Sequence, residues 1–313
     1  MTDTSITNSR PLSDRVPPHI FFMVSAVFHY LGPSFAVLLF AQVGPLGVAW
    51  MRIASAALIF GLWKKPWRLM AAANQQTRLL VVALGVTLAA MNSAFYLAIA
   101  RMPLATVAAI EFTAVITLAL IGVRSLRNGL ALAIAVAGVF LLIGFQWSAN
   151  WLGLAFAIAN AVLFAAYVVI GHRVSRQAAV SRIDLLAAAM AVALVAAFPF
   201  GLADLAPMVS SPVLILAGVG VGITSSVIPY VCDQLAMARL PRATFALMLT
   251  LLPATATVTG AIILGQIPSW IDIAGISLVA LGVGLHRPSP EARSRSPAHQ
   301  LEGAGELGER GEA

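Results

Sequence analysis

The chain reads as an all-α integral membrane protein of ten transmembrane helices, arranged as two inverted five-helix repeats. Three observations carry that reading. Apolar residues make up 60% of the 313 residues and charged residues only 10%, whereas a soluble domain carries roughly a quarter charged side chains. Runs of about 20 apolar residues, long enough as helix to cross a hydrocarbon core of ~30 Å, recur from Ile20 to Leu285. Positive charges concentrate on alternate loops between those runs.

The predicted spans of the first half are 20–41, 45–63, 79–100, 103–123 and 128–145. Those of the second half are 151–171, 183–204, 213–235, 241–263 and 269–286. Continuous hydrophobicity predicts helices, because the strands of a membrane barrel alternate at period two. The domain boundaries follow: a cytoplasmic N-terminal tail over 1–19, a first repeat over 20–146, a second over 147–286, and a tail over 287–313. That last segment is rich in Pro, Ser, Gly, Arg and Glu and is expected to be disordered in the cytoplasm. The basic N-terminus followed by an apolar run resembles a signal peptide. The run is too long and lacks a convincing cleavage site, so it is read as an uncleaved first span.

Orientation follows from Lys and Arg. Arg10 and Arg15 precede span 1; Lys64, Lys65, Arg68 and Arg78 follow span 2; Arg124 and Arg127 follow span 4. Arg173, Arg176 and Arg182 follow span 6, Arg239 and Arg242 follow span 8, and Arg287, Arg293, Arg295 and Arg310 lie in the C-terminal tail. That is 17 of the 19 basic residues on one side, which places both termini in the cytoplasm. Arg101 is alone in the outer loops and Arg52 lies within span 2. Trp63 and Trp67 then fall at the cytoplasmic interface, and Trp147, Trp151 and Trp270 at the outer one, as an aromatic belt requires. The net charge of +7 is thereby an orientation device, and no nucleic-acid role follows from it. A single cysteine, Cys232, excludes an internal disulfide and a multi-cysteine metal site.

Two stretches reveal a repeat. Leu97–Thr106 reads LAIARMPLAT and Leu235–Thr244 reads LAMARLPRAT, with seven of ten positions identical at an offset of 138. Each ends one span and begins the next with Pro, suited to a first helical turn. The first copy falls outside and the second inside, because five helices per half is an odd number. Inverted repeats are a common plan of secondary transporters, with substrate bound near midplane between the halves.

Polar groups within the spans are few and therefore informative. Glu111 lies about eight residues into span 4 and Arg52 about seven into span 2, both from the outer end, so both sit roughly 10–12 Å deep. Equal depth permits an ion pair. That pair is either a buried lock between helices, or Glu111 carries protons or meets a substrate ammonium while Arg52 tunes it or binds a substrate carboxylate. His29 and Tyr30 precede Gly32-Pro33, a pair expected to weaken or kink the first helix. His29 is either bonded to a neighbouring helix or turned to a cavity. Asn92 and Tyr96 lie one turn apart on span 3, and Asn160 and Tyr167 occupy span 6; such groups are also routine interhelical glue. Asp233 reaches the cytoplasmic interface or pairs with Arg239. Gly218, Gly220 and Gly222 suit close helix packing, and Asp184, Asp204 and Asp272 read as solvated caps at helix ends.

Several segments carry a family likeness: VGPLGVAWMRI (43–53), KPWRL (65–69), MNSAFYLAI (91–99), VAGVFLL (136–142), RLPRATFALM (239–248) and, around Glu111, AAIEFT (108–113). On these the chain resembles the bacterial threonine/homoserine exporters, in the EamA branch of the drug/metabolite transporter superfamily. The resemblance runs from about Val24 to Leu285. It implies ten helices in inverted halves, cytoplasmic termini and efflux of amino acids or metabolites. The sequence departs from the family pattern where a Glu-Pro pair is common but Leu252-Pro253 stands. It departs again at Gly265-Gln266, where Gly-Glu is frequent, and at Ala114-Val115, where Gly-Pro follows the Glu in close relatives. The C-terminal half thus lacks a second carboxylate that relatives carry.

The function expected is secondary export of small amino acids or related metabolites across the bacterial inner membrane, by proton antiport and alternating access. Glu111 is the candidate for proton coupling. Arg52, His29, Tyr30, Asn92, Tyr96 and Asn160 are the substrate-binding candidates. No cofactor, metal or catalytic residue is expected; the partners are a small-molecule substrate, protons and the lipid bilayer, with a homodimer left open. The alternatives are a drug, metabolite or nucleoside exporter of the same fold, a passive channel, and a membrane protein without a transport role. An intramembrane enzyme needs a catalytic constellation such as paired aspartates or a His-Glu-x-x-His, and the spans contain neither.

Overall fold

A computed structural model describes residues 16–122, 125–143, 150–177, 181–209, 211–237, 239–240, 248 and 251–285. Residues 1–15, the C-terminal tail, Trp147, and half of the second repeat copy with the start of span 9 lie outside the described residues. Among the described residues every regular element is helical. The helices are α1 (Pro18–Leu39), α2 (Pro45–Lys64), α3 (Gln75–Ile99), α4 (Leu104–Gly122), α5 (Leu126–Ile143), α6 (Trp151–Gln177) and α7 (Arg182–Gly201). Then α8 runs as Pro212–Gly222, a π turn at Ile223–Val227 and Ile228–Met237, followed by α9 (Leu251–Leu264) and α10 (Trp270–Leu285). Short helical turns at Pro66–Ala72, Leu202–Leu205 and Ala206–Val209 join some of them.

Six of these helices are long and apolar enough to cross a membrane: α1, α2, α3, Trp151–Gly171 of α6, Ile183–Met208, and Pro212–Asp233 of α8. They coincide with spans 1, 2, 3, 6, 7 and 8. Four shorter apolar helices, Leu104–Ala114, Leu126–Leu142, Leu251–Leu264 and Trp270–Gly282, lie within spans 4, 5, 9 and 10. Proline starts α1, α2 and α8, where its missing N–H has no helical partner to lose. Asn74 caps α3 by accepting from the Thr77 N–H at 2.8 Å. Trp63, Trp67, Trp151 and Trp270 are exposed, as interfacial anchors are.

Much of the packing follows an exchange rule, which the α2–α3 and α4–α10 contacts do not obey. Let each helix of the first five correspond to the one five places later. The contact of α3 with α6 then maps onto that of α8 with α1, and α4 with α6 onto α9 with α1. Likewise α3 with α7 maps onto α8 with α2, and α4 with α5 onto α9 with α10, while α2–α7, α4–α9 and α5–α10 map onto themselves. The ends of α3 and α8 repeat in detail. Met102 N–H donates to Ala98 O at 2.9 Å, and Leu240 N–H to Ala236 O at 2.8 Å. Arg101 donates to Leu97 O at 2.8 Å and Arg239 to Leu235 O at 3.5 Å, each four residues back. Arg101 lies over Phe156 of α6 at 5.4 Å, and Arg239 over Phe21 of α1 at 4.9 Å.

Glycine lets α8 approach both α1 and α2. A Cβ on Gly32 would meet Ser225 N at 2.7 Å and Ser225 Cα at 2.9 Å; one on Gly222 would meet Arg52 O at 2.9 Å. Gly218 packs on Met51 and Met208, as the sequence suggests, whereas nothing stands near Gly220. Because the obstacle at Gly32 is backbone, Gly32→Ala is expected to cost about 1–3 kcal/mol by overpacking. Thermal unfolding of the purified protein in detergent checks this; an unchanged midpoint contradicts the tight contact.

Two expectations change. The helix containing Gly32-Pro33 runs unbroken from Pro18 to Leu39; the departure from regular α-helix falls in α8 instead. Asp204 is no local cap: its carboxylate accepts from the N–H groups of Leu46 at 3.2 Å and Gly47 at 3.3 Å, in the first turn of α2. It thus ties the Leu202–Leu205 turn to the positive end of a helix distant in sequence. Asp204→Ala should lose about 1–2 kcal/mol, read as a lowered unfolding midpoint. Asp184 pairs with Lys64 at 3.7 Å and Asp272 accepts from the Ser269 N–H at 2.8 Å, both nearer the solvated role.

Candidate functional site

The polar residues of the spans gather in two clusters. In the first, α4 presents Glu111 and α6 presents Asn160. Asn160 Nδ2–H donates to Glu111 Oε2 at 3.0 Å. Asn160 is buried and Glu111 half-buried. Tyr30 of α1, fully buried, is within electrostatic reach of Glu111.

The second cluster centres on Arg52 of α2, which is buried to 7% exposure. Its Nε–H donates to Ser226 Oγ at 2.9 Å and its Nη2–H to Ser225 O at 3.1 Å. Its guanidinium carbon stands 5.7 Å from the centre of the Tyr96 ring, a cation–π distance. The Tyr96 hydroxyl lies near Ser225 and Arg52, yet neither it nor Ser225 Oγ has a hydrogen-bond partner among the described residues. Tyr230 of α8 is within electrostatic reach of both Arg52 and Glu111, as those two are of one another.

Arg52 and Glu111 therefore do not form an ion pair with one another: each is held by neutral groups on the opposite half of the chain. Of the remaining candidates, His29 is half-buried and meets the Tyr30 ring edge-on, with centroids 5.2 Å apart. Asn92 is buried, but its amide donates to Leu88 O of its own helix at 2.8 Å. Tyr167 stacks on Phe164. An apolar cavity of about 440 Å³, lined by residues such as Leu46, Val86, Phe156 and Phe200, holds none of the candidate side chains.

Ser225, Ser226 and Tyr230 escape the sequence reading. The available signal was Pro229: a proline inside an apolar span withholds an N–H from the carbonyl four residues back, here that of Ser225. Gln266, one of the departures from the family pattern, has a definite task. Its Oε1 accepts from Leu104 N–H at 3.1 Å, capping the helix that carries Glu111.

Comparison with known proteins fits this architecture. The chain is 32% identical over 271 residues to the threonine/homoserine exporter RhtA of Escherichia coli strain K12, covering 85% of this chain and 88% of the relative. Over 260 residues it is 31% identical to RhtA of Salmonella typhimurium strain SL1344, covering 81% and 85%. The EamA-like transporter family model matches residues 151–286. The chain belongs to the EamA-like transporter family. As an EamA-like transporter it is a multi-pass membrane protein.

Proposed function

We propose that this EamA-like transporter exports small amino acids or related metabolites of the threonine/homoserine class from the bacterial cytoplasm, by proton antiport and alternating access of two inverted five-helix halves. The observation that carries the reading is the pairing of one ionisable group per cluster with neutral partners across the halves: Glu111 with Asn160, and Arg52 with Ser225 and Ser226. A zwitterion needs both an anionic and a cationic contact. Glu111 supplies the first, and Arg52 the second. His29, Tyr30, Asn92, Tyr96 and Asn160 are assigned to substrate binding with them.

The inverted halves draw support from the exchange pattern of helix contacts and from the matching ends of α3 and α8. In that arrangement residues 20–146 and 147–286 are the two repeats, with both termini cytoplasmic. Proton coupling is assigned to Glu111 because a carboxylate held by a neutral amide can gain or lose a proton without breaking an ion pair. The reading also draws on the named activity of the RhtA relatives.

Cells overexpressing the chain are expected to grow at homoserine concentrations that arrest the parent strain, through lowered internal homoserine. Unchanged growth, with the protein present in the membrane, contradicts this substrate class and favours a bulkier cargo.

A further inference from the structure

The π turn of α8 and its contact with Arg52 are more than packing. Pro229 has no N–H to give to Ser225 O, and the helix widens at Ile223–Val227 just before it. The carbonyl it leaves is taken by Arg52 from α2, which also holds the next side chain, Ser226. Gly32 and Gly222 bring α1 and α2 against the same turn. The segment Ile228–Met237 packs on α1, where Ser25 Oγ–H donates to Pro229 O at 3.3 Å, and it follows a weakened turn pinned to α2 by one guanidinium.

That guanidinium is only partly used. Arginine has five N–H donors; two are committed to Ser226 Oγ and Ser225 O, and the Tyr96 and Tyr230 hydroxyls lie within reach of the guanidinium. Beside it stand two fully buried hydroxyls without partners, those of Tyr96 and Ser225. A fixed cation with spare donors and two unpaired O–H groups lacks one thing, an acceptor. Carboxylate is the common metabolite group that only accepts, with up to about four lone-pair sites in a planar fork that matches guanidinium.

We propose that Arg52 is a carboxylate-operated latch on α8. The substrate's carboxylate seats on Arg52, Tyr96 and Ser225, draws the guanidinium from Ser225 O and Ser226 Oγ, and frees Ile228–Met237 to move against α1. The inference rests on the amino-acid reading above and sharpens it: a free carboxylate is required, and carboxyl-amidated analogues do not trigger movement however well their ammonium fits.

Cys232, the single cysteine of the chain, lies on the freed segment and reports on it. The test is its rate of modification by N-ethylmaleimide in proteoliposomes. Threonine is expected to change the rate severalfold and threoninamide to leave it unchanged. Without substrate, Ser226→Ala and Arg52→Lys, each removing a latch bond, are expected to shift the rate in the same direction as threonine, by about tenfold for a bond to a charged group. Equal responses to threonine and threoninamide, or both variants behaving as the parent, overturn the latch. Threonine counterflow in the same vesicles separates the two readings. Counterflow with unchanged Cys232 reactivity overturns the latch alone; no counterflow and no reactivity change overturn the amino-acid class and the carboxylate trigger together.

Discussion

Glu111→Gln is expected to reduce export driven by an imposed pH gradient to the level of empty vesicles, while substrate exchange without a gradient persists at saturating substrate with a raised KM, because the anionic contact to the substrate's ammonium is lost. Glutamine keeps the side-chain length and an acceptor for the Asn160 amide at the position of Oε2, so the α4–α6 contact survives. What it loses is the ability to carry a proton, together with the charge that meets the substrate's ammonium. Among the described residues, Glu111 is the glutamate of the helices, and its partner is a neutral amide with no competing claim on the charge. If the variant exports normally down a pH gradient, Glu111 is not the coupling group. If it loses exchange as well, its role is in binding.

The second large effect concerns Arg52. Arg52→Ala leaves Ser225 O and Ser226 Oγ without their charged donor in a buried position. Each such loss costs about 1.5–3 kcal/mol of stability, and the guanidinium that would seat the substrate's carboxylate is gone, so transport should fall by about tenfold or more. Arg52→Lys tests what kind of contact this is. The observed bonds use two different nitrogens, Nε and Nη2, aimed at two acceptors on successive residues. An ammonium is a point donor and cannot reproduce that fork. Lysine and alanine variants are therefore expected to be damaged to a similar degree, measured as initial rates of counterflow at matched protein levels. A lysine variant near parental activity means that charge alone matters.

Much of the architecture was legible because a bilayer imposes simple rules. Apolar runs of about 20 residues mark spans, and the six long helices fall where the runs predict. The LAxAR match between residues 97–101 and 235–239 also carried structural meaning: both arginines turn back to a carbonyl four residues earlier and lie over a phenylalanine of the corresponding helix. Depth was legible too, since Arg52 and Glu111 lie seven residues from the starts of α2 and α4.

Rotation about the helix axis was not, and there the residue-level expectations diverge. Equal depth suggested that Arg52 faces Glu111, but Arg52 turns to α8 and Glu111 to α6. Composition gave no hint that Asn92 would satisfy itself on Leu88 O while Asn160 reached another helix. Pro33 drew attention as a helix breaker, yet α1 continues through it. Pro229, whose carbonyl partner Ser225 meets an arginine, is where the regular helix gives way. The consequence of a proline depends on what stands ready to take the freed carbonyl, and that is a tertiary fact.

The most direct test of amino-acid export is counterflow of labelled homoserine and threonine into proteoliposomes preloaded with each unlabelled amino acid. Transient accumulation of label above that in empty liposomes is the result expected of a carrier that alternates with these substrates. Equilibration without overshoot, or no uptake by folded protein, contradicts it.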